Sequence, residues 1–204
     1  MDGRRARGDR TRRAIAAEAA ALASVEGLSG VTLARVADAA GVTKSGVQAV
    51  FATREAVQLA AVDAATATFV AEVVGPSMTA AEGMPRLRAL VEAFLSYVER
   101  RVFPGGCFMA ATFSDYDSRP GAVRDALAGS RRGWLALLEQ EATRAQAAGD
   151  LAPTPSAAMV AFEIDALLAA ANVARNFTDD TSPLDLARDL IDLRLAAESP
   201  RRAR

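Results

Sequence analysis

Between residues 43 and 54 the chain gathers groups suited to contacting nucleic acid: Thr43, Lys44, Ser45, Gly46, Gln48, Ala49, Thr53 and Arg54. Hydroxyls, free amides at a helix start and a guanidinium are the donors that hold phosphate oxygens. Lysine and glutamine bond base edges in a major groove, glutamine reaching adenine through two atoms at once. Lys44 is the only lysine in the chain; every other basic residue is arginine. A solvated surface cation would account for Lys44 equally well, so the surrounding pattern has to decide.

That pattern is two short amphipathic helices hinged at Gly41, spanning residues 32–51. Leu33, Val36, Ala37 and Ala40 recur at spacings of three and four, which makes one apolar stripe. Thr32 is placed to cap the first helix and Thr43 the second, each hydroxyl accepting from a first-turn amide. Glycine reverses the chain between them through a left-handed conformation. In the second helix Val47, Val50 and Phe51 point inward, which leaves Lys44, Ser45, Gln48 and Ala49 outward; Thr32 and Arg35 flank this surface from the first helix. Two helices joined in this way are the helix-turn-helix arrangement that enters a major groove.

Residues 11–62 resemble the DNA-binding domain of TetR-family transcriptional regulators. The resemblance rests on an alanine-rich first helix, Gly30-Val31-Thr32-Leu33, Val36-Ala37, Ala40 through Gly46, and Phe51 through Val57. It implies an all-α fold in which a three-helix head at residues 1–55 is joined by a long helix to a ligand-binding and dimerisation domain at residues 56–204. It also implies a homodimer on a double-stranded, palindromic operator, released by a small-molecule inducer, and therefore a repressor without catalytic activity. Gln48 stands where relatives commonly carry a tyrosine that touches phosphate, Val50 where they carry another aromatic, and Arg54 where they carry lysine. At Gln48 a base contact is the alternative.

Composition agrees with a helical chain: half the residues are apolar, only 5% are aromatic, and alanine is abundant. At 204 residues it is long enough for one or two domains. Residues 1–55 hold nine Lys/Arg against six Asp/Glu, a net +3, whereas the remainder is net −4. A basic head on an acidic body is the distribution expected of a reading domain attached to something else. No histidine is present, which removes the commonest general base and zinc ligand together. No glycine-rich phosphate loop appears either. Neither metal nor cofactor is expected, and enzyme chemistry has no constellation to stand on. No run of eighteen uncharged apolar residues suggests a membrane span, and one cysteine builds no internal disulfide, so a cytoplasmic location is the expectation.

Residues 1–10, with Arg4, Arg5, Arg7 and Arg10, lack apolar period and are expected to form a flexible basic arm. Helices are predicted over residues 11–26, 54–74, 84–103, 107–116, 120–148, 156–177 and 183–197, with a frayed tail at Arg201, Arg202 and Arg204. Phe69, Phe94, Cys107, Met109, Phe113, Trp134, Leu138 and Phe162 are candidates for the ligand pocket, although core packing explains each of them as well. Having few donors among them, they call for a largely apolar inducer. Leu167, Ala171, Leu184, Leu190 and Ile191 are expected to pair the last two helices with those of a second subunit. Two alternatives stand beside the regulator: a non-DNA helical binding module that keeps the fold, and a thiol sensor acting through Cys107 at a helix start.

Overall fold

The structure, a computed structural model, describes residues 2–196, with side chains from residue 6. Residue 197, at the end of the last predicted helix, and the three arginines of the expected tail lie outside the described residues. The fold is all-α, with no strand among the described residues. In chain order the helices are α1 (Asp2–Gly30), α2 (Leu33–Ala39), α3 (Lys44–Val50), α4 (Arg54–Phe69), α5 (Gly75–Ser77), α6 (Met84–Glu99), α7 (Phe108–Tyr116), α8 (Ala122–Ala147), α9 (Ala157–Thr178) and α10 (Ser182–Ala196).

Two compact units emerge. The first comprises the chain up to Thr68 together with Phe103–Gly129; the second comprises Phe69–Val102 and the chain from Ser130 onward. The expected head at residues 1–55 thus lies in a unit that also takes in the first fifteen residues of α4 and the whole of α7.

In the first unit, α1 starts at Asp2 rather than after a flexible arm. Arginine and alanine are strong helix formers, and the two glycines among these residues cost only about 1 kcal/mol each. Thr11 Oγ1 donates to the carbonyl of Arg7 at 3.1 Å, tying the first turns together. At Gly27 the helix breaks with φ +70°, where the sequence predicted its end. Ile15, Ala19, Ala20, Ala23 and Leu28 are buried, joined in the core by Val31, Val36, Val47, Phe51, Val57 and Phe108. Gly105 meets α1 so closely that a Cβ there would lie 1.9 Å from the carbonyl oxygen of Ser24.

In the second unit a π turn, Val70–Val74, follows α4, its Gly75 amide donating to the carbonyl of Val70. Val73 and Ser77 are both buried there, and the Ser77 hydroxyl donates to the Val73 carbonyl at 2.7 Å. Helix α6 ends at Glu99, short of the predicted residue 103, because Arg101 adopts a left-handed conformation (φ 49°). Its inner face buries Leu87, Leu90, Val91, Phe94, Leu95, Tyr97 and Val98. Glu141 of α8 is fully buried and accepts the Gly83 amide at 2.7 Å, so its charge sits at the start of α6. Arg144 and Arg86 lie 2.5 and 3.6 Å from its other oxygen, supplying the pairing that a buried carboxylate requires. Ahead of α10, Asp180 accepts from the Ser182 amide and hydroxyl, and these bonds hold its carboxyl below the usual carboxylate range.

By length and composition, the stretch Arg54–Ser77 and helix α9 are apolar enough to cross a membrane. Both bury apolar faces within the fold: Val57, Ala61, Val62, Ala65 and Val73 in the first, and Val160, Ile164, Leu168 and Ala171 in the second.

Candidate nucleic-acid interface and ligand site

Helices α2 and α3 form the expected helix-turn-helix. Thr32 Oγ1 accepts the Arg35 amide at 3.2 Å, and Thr43 Oγ1 accepts the Gly46 amide at 3.1 Å. Between them Gly41 has φ +64°, and the Val42 amide closes the turn on the carbonyl of Ala37 at 3.0 Å. A side chain at Gly41 would meet no atom within 4 Å, so the need for glycine lies in the backbone conformation alone. Val47 is fully buried and Phe51 nearly so, which fixes the roll of α3. Thr43, Lys44, Ser45, Gln48 and Ala49 are left exposed together, with Gly46 half-buried beneath them and Val50 half-buried rather than inward. Thr43 and Ser45 hydroxyls stand 3.1 Å apart. Thr53 caps α4 by accepting the Ala56 amide at 3.1 Å.

Three arginines of the first unit make intramolecular contacts. Arg54, assigned to phosphate by its position, donates through Nε to the carbonyl of Val31 at 2.9 Å and through Nη2 to that of Ser29. Carbonyls at the end of a helix lack intrahelical donors, and the guanidinium fork satisfies two of them. Arg35 is paired with Glu26. Arg12 lies over the Phe51 ring, 4.3 Å from its centroid, and donates to the carbonyl of Val50 at 3.0 Å. It braces the C-terminus of α3.

Residues 28–31, which lead into α2, are held from three sides. Besides Arg54, buried Gln58 donates to the carbonyl of Leu28 at 2.7 Å. Asp115 of α7 accepts the Ser29 amide at 3.2 Å and its hydroxyl at 2.8 Å. The head is therefore anchored to α7 across 86 positions of sequence. No local pattern carries that pairing.

In the second unit, Phe69, Phe94 and Trp134 do come together, with Tyr97 as a fourth ring. Phe69 meets Trp134 edge-on at 5.2 Å and Tyr97 edge-on at 5.8 Å, while Phe94 stacks on Trp134 at 6.1 Å. Leu138 is buried in the same unit. Polar groups accompany the rings, which the apolar selection of pocket residues missed. Asp165 of α9 accepts from Trp134 Nε1 at 3.1 Å and Arg131 Nη2 at 2.7 Å. Asn172 and Arg175 follow it on the same buried face of α9. Their signal was in the sequence: polar residues at helical spacing inside an apolar stripe. Glu163, two residues from Asp165, points elsewhere and pairs with Arg194 of α10.

Phe162 does not join the aromatic cluster. It is 63% exposed on the opposite face of α9. Cys107, Met109 and Phe113 belong to the first unit, where Cys107 precedes α7 and is only 5% exposed. Of the residues expected between subunits, Ala171, Leu184 and Ile191 are buried within the chain, where α9 packs on α10. Leu167 is half-buried and Leu190 exposed. The outer apolar face runs instead through Met159, Phe162, Val173 and Phe177 on α9 and Leu186, Leu190 and Leu193 on α10. Each helix has two apolar stripes, and Ala171, Leu184 and Ile191 lie on the inner ones.

A family model described as "Tetracyclin repressor-like, C-terminal domain" matches residues 83–191. No curated protein matches the sequence. Among solved structures, a TetR transcriptional regulator from Chloroflexus aurantiacus superposes with a TM-score of 0.86 at 24% identity, over 94% of this chain and 97% of that one. A TetR-family regulator from Cytophaga hutchinsonii gives 0.80 at 21% identity, over 95% and 97%. AibR, solved in complex with isovaleryl coenzyme A and operator DNA, gives 0.72 at 18% identity, over 93% and 98%. At these identities the likeness is one of fold. The family match covers more than half of the chain, and a helix-turn-helix precedes the matched residues: the protein belongs to the TetR family of transcriptional regulators.

Proposed function

We propose that the protein is a ligand-responsive repressor that binds a palindromic operator as a homodimer and leaves it when a small molecule occupies the C-terminal unit. The observation that carries the reading is the outward face of α3. The side chains of Lys44 and Gln48 are exposed and have no intramolecular hydrogen-bond partner among the described residues, while the caps and the buried Val47 hold the helix that presents them. Lys44 and Gln48 read base edges; Thr43, Ser45 and Thr53 hold phosphates. Arg54 and Arg12 position the head instead of contacting DNA.

The outer stripes of α9 and α10 supply the dimer contact. Met159, Phe162, Val173 and Phe177 recur at helical spacing, as do Leu186, Leu190 and Leu193, and all seven are exposed in the single chain. A contiguous apolar face of this kind belongs against a partner, and two such helices meeting their symmetry copies form a four-helix interface. AibR holds a small molecule and operator DNA in one complex, which supports the same pairing of functions here. The effector's apolar body packs on the cluster around Trp134. Binding changes DNA affinity only insofar as the ligand prefers the form of the dimer that does not bind DNA. In functional terms residues 1–55 read DNA and residues 56–204 sense and dimerise, in the cytoplasm.

Selection of bound duplexes from a random pool tests the reading. A palindrome should be enriched by the natural protein, and its enrichment should be lost in Lys44→Ala combined with Gln48→Ala. A flat pool would favour the non-DNA binding module.

A further inference from the structure

Buried charge on the inner face of α9 is not fully satisfied. Asp165, Asn172 and Arg175 are each more than nine-tenths buried, at helical spacing, among Leu168 and Ile164. The carboxylate of Asp165 has two donors, from Trp134 and Arg131. Arg175 sends Nη1 to Asp179, 3.2 Å away, and Asp179 also binds Arg101 at the end of α6. Its Nε, however, is buried with no acceptor among the described residues. Leaving a guanidinium N–H dry and unpaired costs free energy that folding alone gives no reason to accept. A fully paired alternative was available to the fold, as Glu141 shows with its amide and two arginines.

We infer that Arg175 is the anion-recognition group of the effector site, and that the effector is an apolar body carrying one carboxylate or comparable oxyanion. This rests on the ligand-responsive reading above and adds the ligand's charge to it. Arg101 and Arg175 share one oxygen of Asp179, which leaves the Nε side of Arg175 as the position for a further oxyanion. Tyr97 lies on α6 about one helical turn before Arg101, and its ring belongs to the cluster with Phe69 and Phe94. From Asp165, which holds Trp134, to Arg175 the α9 axis runs about 15 Å. An effector with its anionic head at Arg175 and its apolar tail toward the rings would lie along that rise. A guanidinium is the side chain suited to gripping a planar carboxylate, through Nε and a terminal nitrogen together.

Two dyes with one aromatic body isolate the charge. 1-Anilinonaphthalene-8-sulfonate carries an oxyanion; N-phenyl-1-naphthylamine is the same frame without it. Fluorescence titration of the full chain should give at least tenfold tighter binding of the sulfonate, and decanoate should displace it far better than 1-decanol does. Arg175→Gln should abolish the difference between the dyes while leaving the neutral dye's affinity unchanged, and Arg175→Lys should keep part of it. Equal affinities in the natural protein, or a preference that survives Arg175→Gln, would overturn the inference and leave water as the partner of Nε. If Arg175→Gln does not fold, the comparison of dyes in the natural protein and in Arg175→Lys still decides. Duplex binding measured on the same preparation separates the two failures: a protein that binds an operator yet shows no preference for the anion remains a regulator with a different effector.

Discussion

Replacing Arg54 with alanine separates two roles that one arginine at the start of α4 could play. Its Nε reaches the Val31 carbonyl at 2.9 Å and its Nη2 the Ser29 carbonyl, both in the segment that feeds α2. Hydrogen bonds from a charged donor contribute about 1.5–3 kcal/mol each. Because the side chain is exposed, solvent screening brings the pair to about 2 kcal/mol together. In a chain of this size that lowers the melting temperature by about 4–8 °C. Folded Arg54→Ala should keep the salt dependence of duplex binding, since it leaves every phosphate contact in place. Were Arg54 a phosphate ligand, the melting temperature would hold, and the slope of log affinity against log salt would become shallower by about 0.9 per phosphate left without its cation. Scanning fluorimetry and fluorescence anisotropy at several salt concentrations measure both quantities. An unchanged melting temperature with a shallower slope would refute the positioning role and return Arg54 to the DNA backbone.

Other perturbations test the remaining parts. Lys44→Ala should cost about 1–3 kcal/mol on the best duplex and relax preference at one base pair, read by repeating the duplex selection; an unaltered motif would remove Lys44 from the reading face. Phe162→Glu with Leu193→Glu should convert the dimer to monomer in sedimentation velocity and abolish binding to a full palindrome, whereas a persistent dimer would place the interface elsewhere. Gly105→Ala should destabilise the first unit by about 1–3 kcal/mol, because a Cβ 1.9 Å from the Ser24 carbonyl oxygen forces backbone apart. Urea unfolding within about 0.5 kcal/mol of the natural protein would contradict that close approach.

The reading head was legible because its information is local. Thr32, Gly41 and Thr43 act within four residues of themselves, and each does in the structure what its type and place imply. The partners of the arginines were not legible, since a long cation at a helix start suits a phosphate and a carbonyl equally. Only the fold brings Ser29 and Val31 to Arg54, Val50 to Arg12, and Ser29 to Asp115. The last two helices misled for another reason. Each is apolar on two sides, and periodicity alone does not tell inner stripe from outer: Ala171, Leu184 and Ile191 lie inward, whereas Phe162 is exposed. In the second unit, Asp165, Asn172 and Arg175 carry a sequence signal in their helical spacing within an apolar stripe, but the pairing of Asp165 with Trp134 and Arg131 of α8 is set by the fold alone.

The proposed function rests most directly on sequence-specific binding by a two-fold symmetric dimer. Selecting bound duplexes from a random pool at low and moderate salt measures it most directly. A single palindromic motif at both salts, with affinity falling steeply as salt rises, is the predicted result. Retention without a motif, or no retention at either salt, would contradict it.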